Sequence, residues 1–247
     1  MISTKTDQQA KRRRNRKGET AVYELKNSKP VNINEKVRFR CKKCGECCRN
    51  VKAAIMLEPL DAFNLAEYLN IHISDVYDKY TESFILSEEV FYPIFTLKTN
   101  EPKQSCVFLK GNRCTVQEAK PRTCRMYPFW IAPEDSGSLS YHLSTERMHH
   151  MKGGLIKVKD WVKSNCTDED TETLKSDIKT MTELALLIKT AQNAGVKDDE
   201  IIRLILLFRY MNFETDKPFL KQKYLNDAIL IKKLKEKIII RKRNEHE

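Results

Sequence analysis

Alternating apolar and polar positions over residues 36–40, KVRFR, place Val37 and Phe39 on one face and predict a short strand that runs directly into CKKCGECC. Residues 51–57, VKAAIML, read as a second strand. Pro59 with Asp61 then opens a helix on which Leu60, Phe63, Leu65 and Leu69 recur at roughly helical spacing. Ser74 is placed to cap a second short helix, DVYDKY. FYPIFTLKT predicts a strand, and CVFL and RCTV flank KGN as a hairpin turning at Gly111 and Asn112. QEAKPRTCRMYPFW reads as one helical turn broken by Pro121 and stopped by Pro128. LSYHLS and GLIKV suggest a further strand pair.

Beyond Cys166 the pattern becomes helical. Leu174, Ile178, Met181, Leu184 and Ile188 form one stripe; Asp198 or Asp199 begins a second helix through Met211; residues 217–241 make a third. Such stripes are read as core packing. The sequence thus predicts an α+β fold: a small strand and loop core carrying the cysteines, a helical insert, and a carboxy-terminal all-helical region. The expected organisation is a basic disordered arm over 1–20, a metal-binding domain over 34–166, and a helical extension over 167–247 packing on it.

Composition narrows the function classes. Hydrophobic residues make up 40% of the 247, enough for a folded core. No uncharged apolar run approaches the roughly 18 residues of a membrane span; the most apolar stretch, 201–213, is interrupted by Arg203 and Arg209. The amino terminus shows no apolar secretory core, so a cytoplasmic protein is expected. The seven glycines are scattered, which argues against a GxGxxG fingerprint and a Walker A loop. Residues 1–17 carry +6 and residues 232–247 carry +4 of the total +11, leaving a nearly neutral body. A basic arm can attract nucleic acid or an acidic partner, but a solvated tail is the favoured reading.

Cysteine carries the chemistry. In CKKCGECC, Cys41, Cys44 and Cys47 follow C-x2-C-x2-C, a register that wraps sulfurs round one metal or cluster, with Gly45 supplying a permissive backbone. Cys48 follows immediately, and adjacent side chains are expected to diverge. Cys106, Cys114, Cys124 and Cys166 complete a set of eight, which divided as four and four suits two tetrahedral zinc ions or two iron-sulfur cubanes. A reduced cytosolic thiol set points to metal or redox chemistry rather than disulfides. Arg49, Arg122 and Arg125, with Lys42, Lys43 and Arg113, stand close to the cysteines in sequence and suit a negatively charged thiolate site.

FRCKKCGECCR, then CVFLKGNRC, then KPRTCRMYPF resembles the CxxCxxCC (YkgJ-like) family of zinc- or iron-chelating cysteine-cluster proteins. The intervening LEPLDAFNLAEYLNIHISDVYDKY is similar to that family's helical insert. The resemblance spans about residues 38–166; Lys120-Pro121 and Gln117 stand where members carry Arg-Pro and an aromatic residue. It implies a metal or iron-sulfur module described as an oxidoreductase. Flagellin lysine N-methylase shares the cysteine pattern, which implies S-adenosylmethionine as a possible second cofactor and a protein substrate.

Three readings follow in order: an iron-sulfur or zinc cluster module with a redox or structural role, a protein-lysine methylase, and a zinc protein binding nucleic acid or protein. Iron, as a 4Fe-4S type cluster, is ranked ahead of zinc. His149 and His150 lack HExxH spacing and are read as surface or packing residues. Tyr127, Phe129 and Trp130 fit either an apolar lid or a core. Cys48 and Cys166 are candidates for a free thiol.

Overall fold

The structure, a computed structural model, describes residues 27–85, 92–134 and 138–244; the arm predicted over 1–20 lies outside the described residues. The fold is α+β, with 51% helix against 19% strand, the strands occurring in small antiparallel sheets. Two compact units are interleaved along the chain: Met1–Lys42 with Met126–Val162, and Lys43–Arg125 with Lys163–Glu247.

In the first unit, β1 (Ser28–Val31), β10 (Leu139–Ser144) and β9 (Phe129–Pro133) form an antiparallel sheet in the order β1-β10-β9. A separate pair joins β2 (Lys36–Arg38) to β11 (Leu155–Lys157), with Val37 opposite Ile156. LSYHLS and GLIKV therefore do not pair with each other; each finds its partner elsewhere in the chain, a choice that alternation alone does not specify. Val37 and Phe39 are buried as their shared face requires. Phe39 meets Tyr127, His150 and Trp161 edge-on, so this unit closes round an aromatic core.

In the second unit, α1 (Pro59–Leu69) starts where expected. Glu58 and Asp61 make its capping box, and Leu60, Phe63 and Leu65 face inward. Helix α2 (Ile73–Tyr80) is capped by His72 rather than Ser74: the His72 ring nitrogen accepts from the Ser74 amide at 3.2 Å. The strand expected over 51–57 is absent. Asn50 and Ala53 take left-handed backbone angles, and only Met56 makes a bridge, to Thr96. Strands β3 (Thr81–Ile85) and β4 (Pro93–Leu97) pair, followed by β5 (Thr99–Asn100) with β6 (Ser105–Cys106) and the hairpin β7 (Leu109–Lys110) with β8 (Arg113–Cys114). Pro121 does not break a turn but starts one. Helix α3 (Arg122–Met126) begins immediately after it, with the Cys124 and Arg125 amides donating to its carbonyl.

After α4 (Val158–Asn165) comes α5 (Asp168–Asn193), whose Leu184 and Ile188 are fully buried. Helix α6 (Asp198–Ile205) continues as a π-helical turn, Leu206–Met211, and α7 (Phe219–Asn244) closes the chain. The helices and the cysteine-bearing segments of this unit share one core, in which Cys106 and Phe108 join Leu184, Ile205 and Leu230. The register of the π turn carries Arg209 into the interior. Arg209 and Lys223 there bind both Asp177 and Asp227 at 2.6–2.9 Å. Among the described residues no helix is long and apolar enough to cross a membrane.

Candidate metal centre

The loop that carries the second, third and fourth cysteines is held by its backbone. Gly45 adopts φ +72°, and Glu46–Cys48 wind one 3-10 turn closed by the Cys48 amide on the Gly45 carbonyl. The turn overturns one expectation about its two last thiols. Cys47 and Cys48 do not diverge: their sulfurs stand 3.9 Å apart. A cysteine needs only one χ1 rotation to redirect its sulfur, so sequence adjacency does not prevent convergence.

This loop lies against the β7–β8 hairpin. A Cβ on Gly45 would sit 2.8 Å from Arg49 Nη1, 3.2 Å from Asn112 Cα and 3.3 Å from Leu109 Cδ1. Arg49 spans the junction: Nη1 donates to the Cys44 carbonyl at 2.8 Å, and Nη2 donates to the Gly111 carbonyl at 3.0 Å and Asn112 Oδ1 at 2.6 Å. Gly111, at φ +61°, makes the turn as expected. In register, Cys114 pairs with Leu109, whereas Cys106 pairs with Thr99 in the neighbouring ladder.

The thiols from these segments act on one another. Contact with Cys47, then burial, then the charges on Cys47, Cys124 and Cys106 push the Cys48 thiol far above its ordinary range. Desolvation, with Cys106, Asp61, Cys47 and Cys114 behind it, pushes Cys124 up. Cys106 is raised by burial and by Cys114 and Cys47, against a lowering backbone hydrogen bond at Phe108. Every pair among Cys47, Cys48, Cys106 and Cys124 is within electrostatic reach in this way, and Cys114 is within electrostatic reach of Cys106 and Cys124.

Two carboxylates support α3 beneath Cys124. Glu58 grips the Arg122 guanidinium at 3.1 and 2.5 Å, and Asp61 Oδ1 accepts from the Arg122 amide at 2.7 Å. Burial, then the Glu58 charge, push Asp61 up to about 7 against the Arg122 amide hydrogen bond, the Arg122 charge and the Glu58 amide hydrogen bond. Sequence reasoning marks Asp61 only as a helix start and does not mark Glu58; the spacing E-P-x-D is the signal that points to both as supports of the Arg122 segment.

The remaining candidates lie differently. Cys166 precedes the capping box of α5, with its sulfur 3.7 Å from Thr171 Oγ1. Its pKa is raised mainly by burial and answers to Asp170, Arg122 and Arg125. Arg125 spends its donors on the Lys120 and Asn165 carbonyls and, two-pronged, on Asp170 at 2.8 and 2.9 Å. Cys44 is half-buried in the loop. Cys41 is exposed and belongs to the other compact unit. In that unit His150 is buried, its Nδ1 3.0 Å from Tyr127 Oη, while Phe129 is core and Trp130 stacks on His142.

The donor set tests well against a metal. Cys48, Cys106 and Cys124 resist ionisation through burial and through neighbouring thiols, a penalty that a bound divalent cation reverses, since binding discharges the protons and neutralises the thiolates. A tetrahedron of sulfurs about 2.3 Å from a central ion has edges of about 3.8 Å, close to the 3.9 Å between Cys47 and Cys48.

Comparison with protein-family models matches residues 40–167 to CxxCxxCC, described as a "Putative zinc- or iron-chelating domain". Comparisons with curated proteins and with solved structures find no match.

Proposed function

Since the chain belongs to the CxxCxxCC family of zinc- or iron-chelating domains, we propose that Cys47, Cys48, Cys106 and Cys124 together hold one zinc or iron ion as a tetrathiolate. The observation that carries this reading is the convergence of Cys47 and Cys48 at 3.9 Å; Cys106 and Cys124 are included because they lie within electrostatic reach of that pair. Arg49 fixes the loop against the hairpin, and Glu58, Asp61 and Arg122 fix the helix bearing Cys124; these are positioning residues. Zinc there would supply a closed structural site, and iron would add one-electron chemistry.

An iron-sulfur cluster is the second reading, favoured by the C-x2-C-x2-C register of Cys41, Cys44 and Cys47. A cubane takes each thiolate at a different iron, so its cysteine sulfurs stand farther apart than those on a single ion. Methylation with S-adenosylmethionine rests on the family resemblance alone. Anaerobic purification followed by metal and acid-labile sulfide analysis separates the readings. About one zinc or iron per chain without sulfide, lost in Cys106→Ser, is the expected result. Iron matched by equal sulfide would replace it with the cluster, and a metal-free chain would overturn both.

A further inference from the structure

Helices α5 and α7 each turn one full-length line of side chains to solvent. On α7 the line steps by four and three residues through Lys221, Leu225, Ala228, Lys232, Lys235, Ile239 and Lys242, every one of them exposed. On α5 steps of three and four join Glu172, Lys175, Lys179, Thr182, Leu186 and Lys189, again all exposed. The two lines meet along one seam. Tyr224 Oη donates to Glu172 at 2.9 Å and Lys235 Nζ to Glu183 at 3.0 Å, both across 52 positions. Two bridges at one offset mean that the helices run parallel and that their outward lines face the same side. The opposite sides of both helices supply Leu184, Ile188, Leu230 and Leu234 to the core.

This shared face is basic and apolar at once. Its two lines hold seven lysines against one glutamate, and that glutamate is engaged by Tyr224. Lysines in a final turn would complement the helix dipole, but Lys175, Lys179, Lys221 and Lys232 stand far from either carboxyl end. Leu186, Ile239 and Ile240 are each more than half exposed. On the shared register Leu186 stands level with Ile238, so these three aliphatics fall at one height of the face.

The combination decides what fits. A second copy of the chain would set lysines against lysines. The phosphates of a nucleic acid would take the lysines but gain nothing from the aliphatic side chains. A bilayer interface offers both, headgroup charge above and an acyl boundary beneath, and it presents that charge continuously over the about 32 Å that separate Lys221 from Lys242 along the helix. We propose that the α5–α7 face docks on a bilayer surface rich in anionic phospholipid, with the lysines among the headgroups and Leu186, Ile239 and Ile240 entering the acyl boundary. The helices lie on the surface and do not cross it. This docking is independent of whether the thiols hold a metal.

Co-sedimentation of the full chain with lipid vesicles is the test. Binding to mixed phosphatidylserine and phosphatidylcholine vesicles is expected, with none to pure phosphatidylcholine and a steep loss as salt rises. Lys175→Gln, Lys179→Gln, Lys221→Gln and Lys242→Gln together should weaken binding at least about thirtyfold. Leu186→Ser, Ile239→Ser and Ile240→Ser together, which leave the charge unchanged, should weaken it about tenfold. All seven positions are exposed, so both variants should keep the wild-type unfolding transition; should one lose it, Lys179→Gln or Ile239→Ser alone takes its place, with a smaller loss of the same sign. Failure of the wild-type chain to bind phosphatidylserine vesicles would overturn the proposal. Wild-type affinity in the lysine variant would also overturn it, because binding would then belong to another basic segment. So would wild-type affinity in the aliphatic variant. Binding of duplex DNA that the lysine variant loses and that vesicles do not displace would assign the face to nucleic acid instead.

Discussion

Glu58 and Arg122 form a two-pronged ion pair, 3.1 and 2.5 Å, that fastens the start of α1 to the start of α3. Arg122 is buried and Glu58 half-buried, and Cys124 follows two residues after the arginine. The pair therefore converts the packing of a helix insert into the position of one sulfur. Arg122→Ala should cost about 2–3 kcal/mol, because it strands a partly buried carboxylate. It should also weaken zinc binding about 10-fold or more by loosening a ligand's support. Equilibrium unfolding and competitive zinc titration measure the two effects; unchanged zinc affinity would show that Cys124 is held without the pair.

Gly45→Ala tests the close approach between the cysteine loop and the hairpin. The new methyl meets Arg49 Nη1 at 2.8 Å and the Asn112 backbone at 3.2 Å, at a φ of +72° that side chains rarely adopt. A loss of about 1–2 kcal/mol is expected from the left-handed backbone and the displaced guanidinium, with a lower metal affinity alongside. Thermal unfolding and zinc titration of the same preparation check both.

Asp61 sets a pH dependence. Its folded pKa, raised to about 7 from 3.8, means that the fold prefers the neutral acid. The stability this contributes is complete below about 3.8 and is lost as pH rises through about 7. The difference in urea midpoint between wild type and Asp61→Asn should therefore shift against wild type from pH 4 to pH 7 and level off above. The lost acceptor for the Glu58 amide offsets the two curves without tilting them. A pH-independent difference would show Asp61 ionised throughout.

The quartet of buried Arg209, Lys223 and Asp227 with half-buried Asp177 predicts an asymmetry between single and double replacement. Asp227→Asn leaves two buried cations sharing Asp177, and about 3 kcal/mol of destabilisation is expected. Lys223→Met combined with Asp227→Leu removes one charge of each sign and should recover much of that loss. Urea denaturation of the three proteins gives the comparison.

The sequence by itself determined the elements whose cause is local. Pro59 and Asp61 start α1 because a proline needs no amide partner there and an acid caps the first turn. Leu184 and Ile188 face the core because a 3.6-residue period puts them on one side. Gly111 turns the hairpin through its positive φ, and C-x2-C-x2-CC announced the metal chemistry through its spacing. Pairings across the chain were decided only in the tertiary structure. LSYHLS joined β1 and β9 rather than GLIKV, since strand alternation encodes a face and not a partner. His72 took the cap from Ser74 because its ring nitrogen reached the same amide. Cys47 and Cys48 converged because side-chain rotation is free of chain order, and Cys106 and Cys124 came within electrostatic reach of them through packing that no spacing records. Asp61 acquired its raised pKa from burial beneath Arg122 and beside Glu58, an environment made of residues about 60 positions apart as well as three.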